Sequence, residues 1–358
     1  MKNLLLLLLL PTHAALAQRS PPDLTKLEDL LARYHVPGAQ IVYTRGSTTL
    51  TGYLGVCEAG TARHVTAATV FEAASLGKEV LAYVALRLHE RGVLDLDKPL
   101  LTYADYPRLR GQPGAARITA RLALAHTTGL PNWSQNPTKP GWETSALALS
   151  YAPDSCWNYS GEGYTLLQKT LEHLTGKPLE QLAREEVFKP LGMKHSSFQW
   201  QPAFAAVASA GHDAAGHPVP IDHFGAPNAG FSLYTTAPDY NRFLQALRTG
   251  QGLKPATARL LQTTASLANR CGQPTTEADA HIDWACGVGL AFTSQGLAQW
   301  QWGDNTTFKN FFMTLPDRQE SLLVFTNSAN GDQLTAELLR LFFGPGQYWA
   351  PQWLGLPE

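Results

Sequence analysis

Strand-like sequence is confined to the two ends of this chain, and that segregation limits the fold more than any other feature. Near the N-terminus, apolar residues at helical spacing (Leu24, Leu27, Leu30, Leu31) predict a helix over residues 23–34, stopped by Pro37-Gly38. Two strand runs follow, 39–44 and 48–56, with Arg45-Gly46-Ser47 as their turn. Strands resume only in the last third, at 287–293, 297–302, 308–315 and 322–326, before a closing helix over 333–343. Between the ends lie helical segments at 119–125, 144–151, 163–174 and 178–186, joined by proline- and glycine-rich connectors. Residues 238–248 and 255–266 also read as helices. Strands so far apart in sequence bury one face each only by pairing end to end. The expected architecture is therefore α/β (α+β): an antiparallel sheet built from both termini, flanked by helices, with an inserted helical subdomain. This divides the chain into a leader (1–17), a domain (18–345) and a tail (346–358). Within the domain, 18–95 and 225–345 form the α/β part and 96–224 the helical part.

The 358 residues are 44% hydrophobic with a net charge of -1, which describes a globular chain with ample core. The absence of a basic excess or Lys/Arg run makes nucleic acid an unexpected partner; a small molecule or a peptide is expected instead. Lys2, the leucine run 4–10 and Ala15-Leu16-Ala17 read as a secretory signal with Gln18 as the mature start, so the expected location is periplasmic or secreted. That run is too short to span a bilayer and no cysteine follows it, so no membrane anchor is expected after cleavage. Export permits disulfides. Cys271 and Cys286 bracket a polar stretch and can staple it, whereas pairing Cys57 with Cys156 needs the fold to bring them together; free buried thiols are the alternative for both pairs. Cysteine and histidine lack zinc-like spacing, and the group His212, Asp213, His217, Asp222 and His223 surrounds a plain turn sequence, so no metal or cofactor is expected.

Chemistry is signalled first by Ser75-Leu76-Gly77-Lys78, at the mouth of an apolar run reaching Leu88. Residues three apart share a helix face, so the lysine amine can take the serine proton if burial or nearby positive charge lowers its pKa. A serine at a helix start also aims a backbone N–H at a developing negative charge. Ser-x-x-Lys arises by chance roughly once in a chain of this size, and a surface serine with a solvated lysine is the plain alternative. A second stretch, Trp157-Asn158-Tyr159-Ser160-Gly161-Glu162-Gly163-Tyr164, offers a tyrosine able to relay a proton. Trp133, Trp142 and Trp157 lie on connectors, where they can wall an aromatic acyl pocket or simply pack.

These residues resemble the serine β-lactamase and D,D-peptidase superfamily, in the branch holding class C β-lactamases, related esterases and D-aminopeptidases. Phe71, Ser75 and Lys78, followed by Gly92 to Pro99, are similar to its F-x-x-x-S-x-x-K and G-x-L-x-L-D-x-P. Ile118-Thr119 with His126-Thr127-Thr128-Gly129-Leu130-Pro131, then 159–176, then 188–193, resemble further blocks in the same order. The resemblance implies an acylated Ser75, Lys78 as its base and Tyr159 as the shuttle to the leaving group. It also implies an oxyanion hole formed by the backbone N–H groups of Ser75 and Asp304, with Gln301-Trp302-Gly303 over the family's K-T-G. Two departures stand out: the Y-x-N asparagine is Gly161, and the K-T-G lysine is Gln301. Both positions would contact substrate, so these changes imply an ester or amide without a carboxylate beside the reacting carbonyl. The alternatives are a true β-lactamase, a D-amino-acid peptidase, or a non-catalytic member that only binds a ligand. The oligomeric state stays open.

Overall fold

The computed structural model describes residues 24–357. The expected leader lies outside them.

The two ends of the chain pair. Helix α1 (Leu24–Arg33) leads into β1 (Gly38–Arg45) and β2 (Thr48–Gly55), and the short β3 (Phe71–Ala74) runs into α2 (Gly77–Glu90). Next come α3 (Ala120–Leu124), α4 (Gly161–Thr175), α5 (Leu179–Ala183) and α6 (Lys189–Leu191), with a small hairpin of β4 (Gly211–His212) and β5 (Pro218–Val219). Strand β6 (Leu233–Thr235) pairs with β3 and precedes α7 (Ala237–Thr249) and α8 (Pro255–Ala258). The chain closes with β7 (Ser266–Leu267), β8 (Ile282–Trp284), β9 (Gly289–Thr293), β10 (Gly296–Asp304), β11 (Lys309–Leu315), β12 (Glu320–Thr326), α9 (Thr335–Phe343) and α10 (Trp349–Trp353). The main sheet has eight strands in the order β2-β1-β12-β11-β10-β9-β8-β7. β1 lies antiparallel to β12, with Ile41 opposite Val324.

The sheet's two faces enter different cores, because side chains alternate along each strand. Ile41, Leu322 and Val324 face α1 and α9 with Leu27, Leu31 and Leu338, while Val42, Leu323 and Phe325 face α2 and α7. Helix α2 lies between the sheet and the helical insert, and eleven of its fourteen residues are buried. That excludes the surface-helix reading of the Ser75 run: a helix apolar on all sides needs cover on all sides. Thr119, Ser160 and Thr236 cap α3, α4 and α7 with side-chain oxygens.

Four expectations change. Residues 145–151 are not helical, because Leu147 gives its N–H to Arg108 O and Ser145 O accepts from Arg108 Nε; a tertiary partner takes the bonds a helix would need. The helix expected over 255–266 stops after a single 3-10 turn at Leu261, and Ser266–Leu267 joins the sheet against β8, a three-residue strand too short to leave a period. The segment expected as a tail outside the domain (346–358) carries α10, which packs into the sheet's outer face with Trp353 buried. Finally, Cys156 is bonded to Cys271, with Cα atoms 5.3 Å apart, and neither Cys271–Cys286 nor Cys57–Cys156 forms. The strand-like pairing of Trp157 with Arg270 sets these two cysteines side by side, while Cys57 and Cys286 are free and buried. Among the described residues, no helix is long and apolar enough to cross a membrane.

Candidate active site

Ser75 sits on the turn between β3 and α2. Ala74, just before it, has φ +52°, a left-handed conformation that costs a non-glycine residue about 1 kcal/mol or more. The turn is held by Lys78 N–H donating to Ser75 O at 3.0 Å, and it leaves Ser75 partly exposed while Lys78 is fully buried. Lys78 Nζ lies 2.9 Å from Ser75 Oγ. Both groups also reach the carbonyl of Gly230, at 3.0 Å from Nζ and 3.1 Å from Oγ. Ser75 and Lys78 thus share a fixed acceptor, which orients the pair.

Burial pushes the Lys78 amine down from an ordinary 10.5 to about 7, and the neighbouring Glu79 carboxyl partly opposes the fall. Glu79 is itself fully buried and its carboxylate oxygens make no hydrogen bond, so burial raises its pKa to about 8. The amide of Gln301 faces it from β10.

Tyr159 precedes α4. Its ring lies 4.8 Å from Lys78 Nζ, 4.7 Å from the Trp302 ring and 4.4 Å from His126, and its hydroxyl is turned toward Ser75. Burial raises the Tyr159 pKa well above the usual phenol range, and the acidic groups of Glu79 and Asp304 add to this. Tyr159 is therefore a neutral phenol that can pass a proton on, not a standing phenolate. His126 is wedged between Tyr159 and Tyr164; its Nδ1 accepts from Ser160 N–H at 3.0 Å, and burial together with Lys78 keeps the ring neutral.

The end of β10 borders this group. β9 pairs with β10 only as far as Trp300, so beyond it the β10 edge facing the site is open. Trp302 N–H points to that edge, where Gln301 Oε1 accepts it at 3.2 Å. N–H groups alternate in direction along a strand, so Asp304 N–H shares the open edge. A Cβ on Gly303 would come within 2.4 Å of Ala73 O, which shows how closely this strand end approaches the Ser75 turn. The Asp304 carboxylate pairs with Lys309 at 2.6 Å, and that lysine also meets Asp332 at 3.4 Å.

Ser75, Lys78, Tyr159, Gly161, Trp302, Gly303 and Asp304 thus converge. Gln301 does not join them at the surface: it is 1% exposed and turned toward α2, so it offers substrate no contact. Trp302, on the opposite face of the strand, packs against Tyr159 instead, with the two rings tilted by 34°. Glutamine and tryptophan alternate over Gln299-Trp300-Gln301-Trp302, but no local pattern tells which face meets the site. Reading the residues one by one also missed Gly230 and Glu79. Nothing local marks a carbonyl acceptor 152 residues from its donor, or a glutamate that the fold buries completely. The histidine and aspartate group at 212–223 does not gather: His212 is occupied by Ala59 N–H and Asn327 O, His217 pairs with Asp213, and His223 stacks on Trp200.

A family model described as Beta-lactamase matches residues 25–342. Esterase EstB of Burkholderia gladioli is 28% identical over 275 residues, which is 64% of this chain and 69% of that one. Penicillin-binding protein 4 of Amycolatopsis lactamdurans is 24% identical over 261 residues, 68% of each chain. Among solved structures, a β-lactamase/D-alanine carboxypeptidase from Pseudomonas syringae superposes with a TM-score of 0.75 at 17% identity, covering 89% of this chain and 96% of its own. At that identity the likeness concerns the fold.

Proposed function

The chain belongs to the beta-lactamase family and is a serine hydrolase, and from that premise we propose that it forms an acyl-enzyme on Ser75 from esters or amides with no carboxylate beside the reacting carbonyl. The observation that carries the chemistry is the buried amine of Lys78, 2.9 Å from Ser75 Oγ and poised near neutrality. In acylation, the neutral amine takes the Ser75 proton as Oγ bonds to the carbonyl carbon. The oxygen that gains charge is held by the N–H groups of Ser75 and Asp304. Tyr159 gives its proton to the leaving group as that bond breaks and recovers one from the Lys78 ammonium. Water then attacks the ester formed on Ser75, giving its proton back along the same route, and the carboxylic acid leaves.

The preference for uncharged substrates is supported by the charges around the cleft. Asp304 brings a carboxylate to the open end of β10; Lys309 is committed to it and to Asp332, and Arg108 to Glu162. A substrate carboxylate at this end of the cleft would meet an acidic group before an unpaired cation. The test compares kcat/KM for p-nitrophenyl esters, benzylpenicillin and a peptide ending in D-Ala-D-Ala, with Ser75→Ala as control. Faster turnover of penicillin than of every ester would sink the proposal. A fluorophosphonate adduct on Ser75, found by mass spectrometry, separates a hydrolase from a ligand-binding protein.

Export belongs to the same proposal. The Cys156–Cys271 bond favours an oxidising compartment, in keeping with the leader-like residues 1–17. Finding Gln18 at the N-terminus of the protein recovered outside the cytoplasm tests it; an uncleaved chain in the cytoplasm would count against it.

A further inference from the structure

Two residues that border the Ser75–Lys78 pair lack side chains, and one indole ring fills the space both leave. A Cβ on Gly161 would lie 2.3 Å from Trp133 Cζ2 and 2.4 Å from Cη2; a Cβ on Gly230 would lie 2.7 Å from Cη2 and 2.9 Å from Cζ2. The same edge of the ring therefore rests on the first turn of α4 and on the residue whose carbonyl orients Ser75 and Lys78. Lys78 Nζ is 6.0 Å from the ring centroid, so the ring borders the space beside the nucleophile.

The ring is fixed from both sides along the chain. Before it, Asn132 Oδ1 accepts from Gly161 N–H at 3.0 Å and Asn132 O accepts from Glu162 N–H at 3.0 Å. After it, Ser134 gives both its N–H and its hydroxyl to Glu162 Oε1, at 3.1 and 2.7 Å. Glu162 is a fully buried carboxylate that also accepts two bonds from Arg108 and one from Trp142 Nε1. Trp142 and Phe231 brace the indole edge to face, each with centroids 5.7 Å away. Trp133 nevertheless remains partly exposed, so a rigid aromatic surface is open beside the site.

We propose that Trp133 determines which acyl groups this enzyme accepts, walling the site with its indole so that flat, unbranched, apolar acyl groups (aryl ones above all) bind against it. This rests on the ester-hydrolase reading and names its substrate class. The wall offers no polar group from Gly161, whose N–H is committed to Asn132. An acyl group branching toward α4 would collide with the ring. A planar one gains aromatic contact and apolar burial, which amounts to about tenfold in kcat/KM.

The readout is the ratio of kcat/KM for p-nitrophenyl phenylacetate over p-nitrophenyl acetate, in the wild type, Trp133→Ala and Trp133→Phe. The ratio is expected to fall about tenfold in Trp133→Ala and to be largely kept in Trp133→Phe. An ester branched at the α carbon by an acetamido group should be relatively better accepted by Trp133→Ala. A merely structural role would lower both simple esters together and leave the ratio unchanged, which would overturn the inference. Normal ester turnover by Trp133→Phe with an acetate preference like that of Trp133→Ala would overturn it too. If the wild type cleaves neither ester while turning over benzylpenicillin, the ester-hydrolase reading itself fails and takes this inference with it.

Discussion

Burial, not a neighbouring cation among the described residues, holds the Lys78 amine proton-free near neutrality, and that has a measurable consequence. Among the causes acting on it, loss of water is the largest, and it lowers the amine to about 7 while Glu79 acts in the opposite sense. A general base works only when deprotonated, so kcat/KM for a good ester should climb about tenfold per pH unit below the midpoint. Between pH 5 and 7 that is a rise of roughly fiftyfold, reaching about a hundredfold at a plateau above pH 8. A solvated lysine would behave differently: its rate would keep rising about tenfold per unit through pH 9, because its titration lies near 10.4. The assay is kcat/KM for p-nitrophenyl acetate over pH 5 to 9.5, corrected for spontaneous hydrolysis and checked by stopped-flow measurement of the acylation burst. An uninterrupted rise past pH 9 would refute the burial argument. A flat profile from pH 5 to 8 would remove Lys78 as the base.

Further predictions concern the groups around it. With its carboxyl raised to about 8, Glu79 is largely uncharged across the acid limb, so Glu79→Gln should leave that limb close to its wild-type position; a shift of a full unit would contradict the raised Glu79 pKa. Lys78→Met should be inactive yet more stable. Because the folded pKa is lowered, the native state holds fewer protons than the unfolded chain between about 7 and 10.5, so the wild type is penalised fully below 7 and progressively less toward 10.5. The gain in Tm should therefore be a few degrees at pH 6 and smaller at pH 9, and a larger gain at pH 9 would reverse the sign of the argument. Arg108→Met strands the buried Glu162 carboxylate, which Arg108 otherwise meets at 2.6 Å, and should cost about 3–5 kcal/mol in urea unfolding. A loss below about 1 kcal/mol would show that pair to be solvated. Reducing the Cys156–Cys271 bond, which spans 115 residues, should lower stability by about 2–4 kcal/mol, seen as a Tm drop in reductant that the Cys156→Ser/Cys271→Ser variant already shows without it.

Much of this molecule was written in local pattern. Strand-like apolar runs marked β1, β10, β11 and β12, and helical spacing marked α1, α4, α7 and α9. The helices among them are long enough to show their period, and the strands, buried on both faces, show instead as nearly continuous apolar runs. Where the reading slipped, a distant partner had taken the backbone: Ser145 and Leu147 are bonded to Arg108, Ser150 and Tyr151 to Gly129, and Ser266–Leu267 to β8. The serine, the lysine and the tyrosine were legible as residue types at fixed spacing. Their convergence was not, since Tyr159 approaches Lys78 across 81 residues and Gly230 across 152.

The sequence by itself determined the sheet's origin in both ends, the helical insert, and the chemistry that a serine with a lysine one helical turn on can perform, because periodicity and i,i+3 neighbourhood are properties of a short segment. Only the tertiary structure decided the electrical state of Lys78 and Glu79, the burial of Gln301 in place of exposure, the pairing of Cys156 with Cys271, and the indole that lies over Gly161. Burial, desolvation and close approach depend on what the rest of the chain brings to the same point, and no local pattern carries that information.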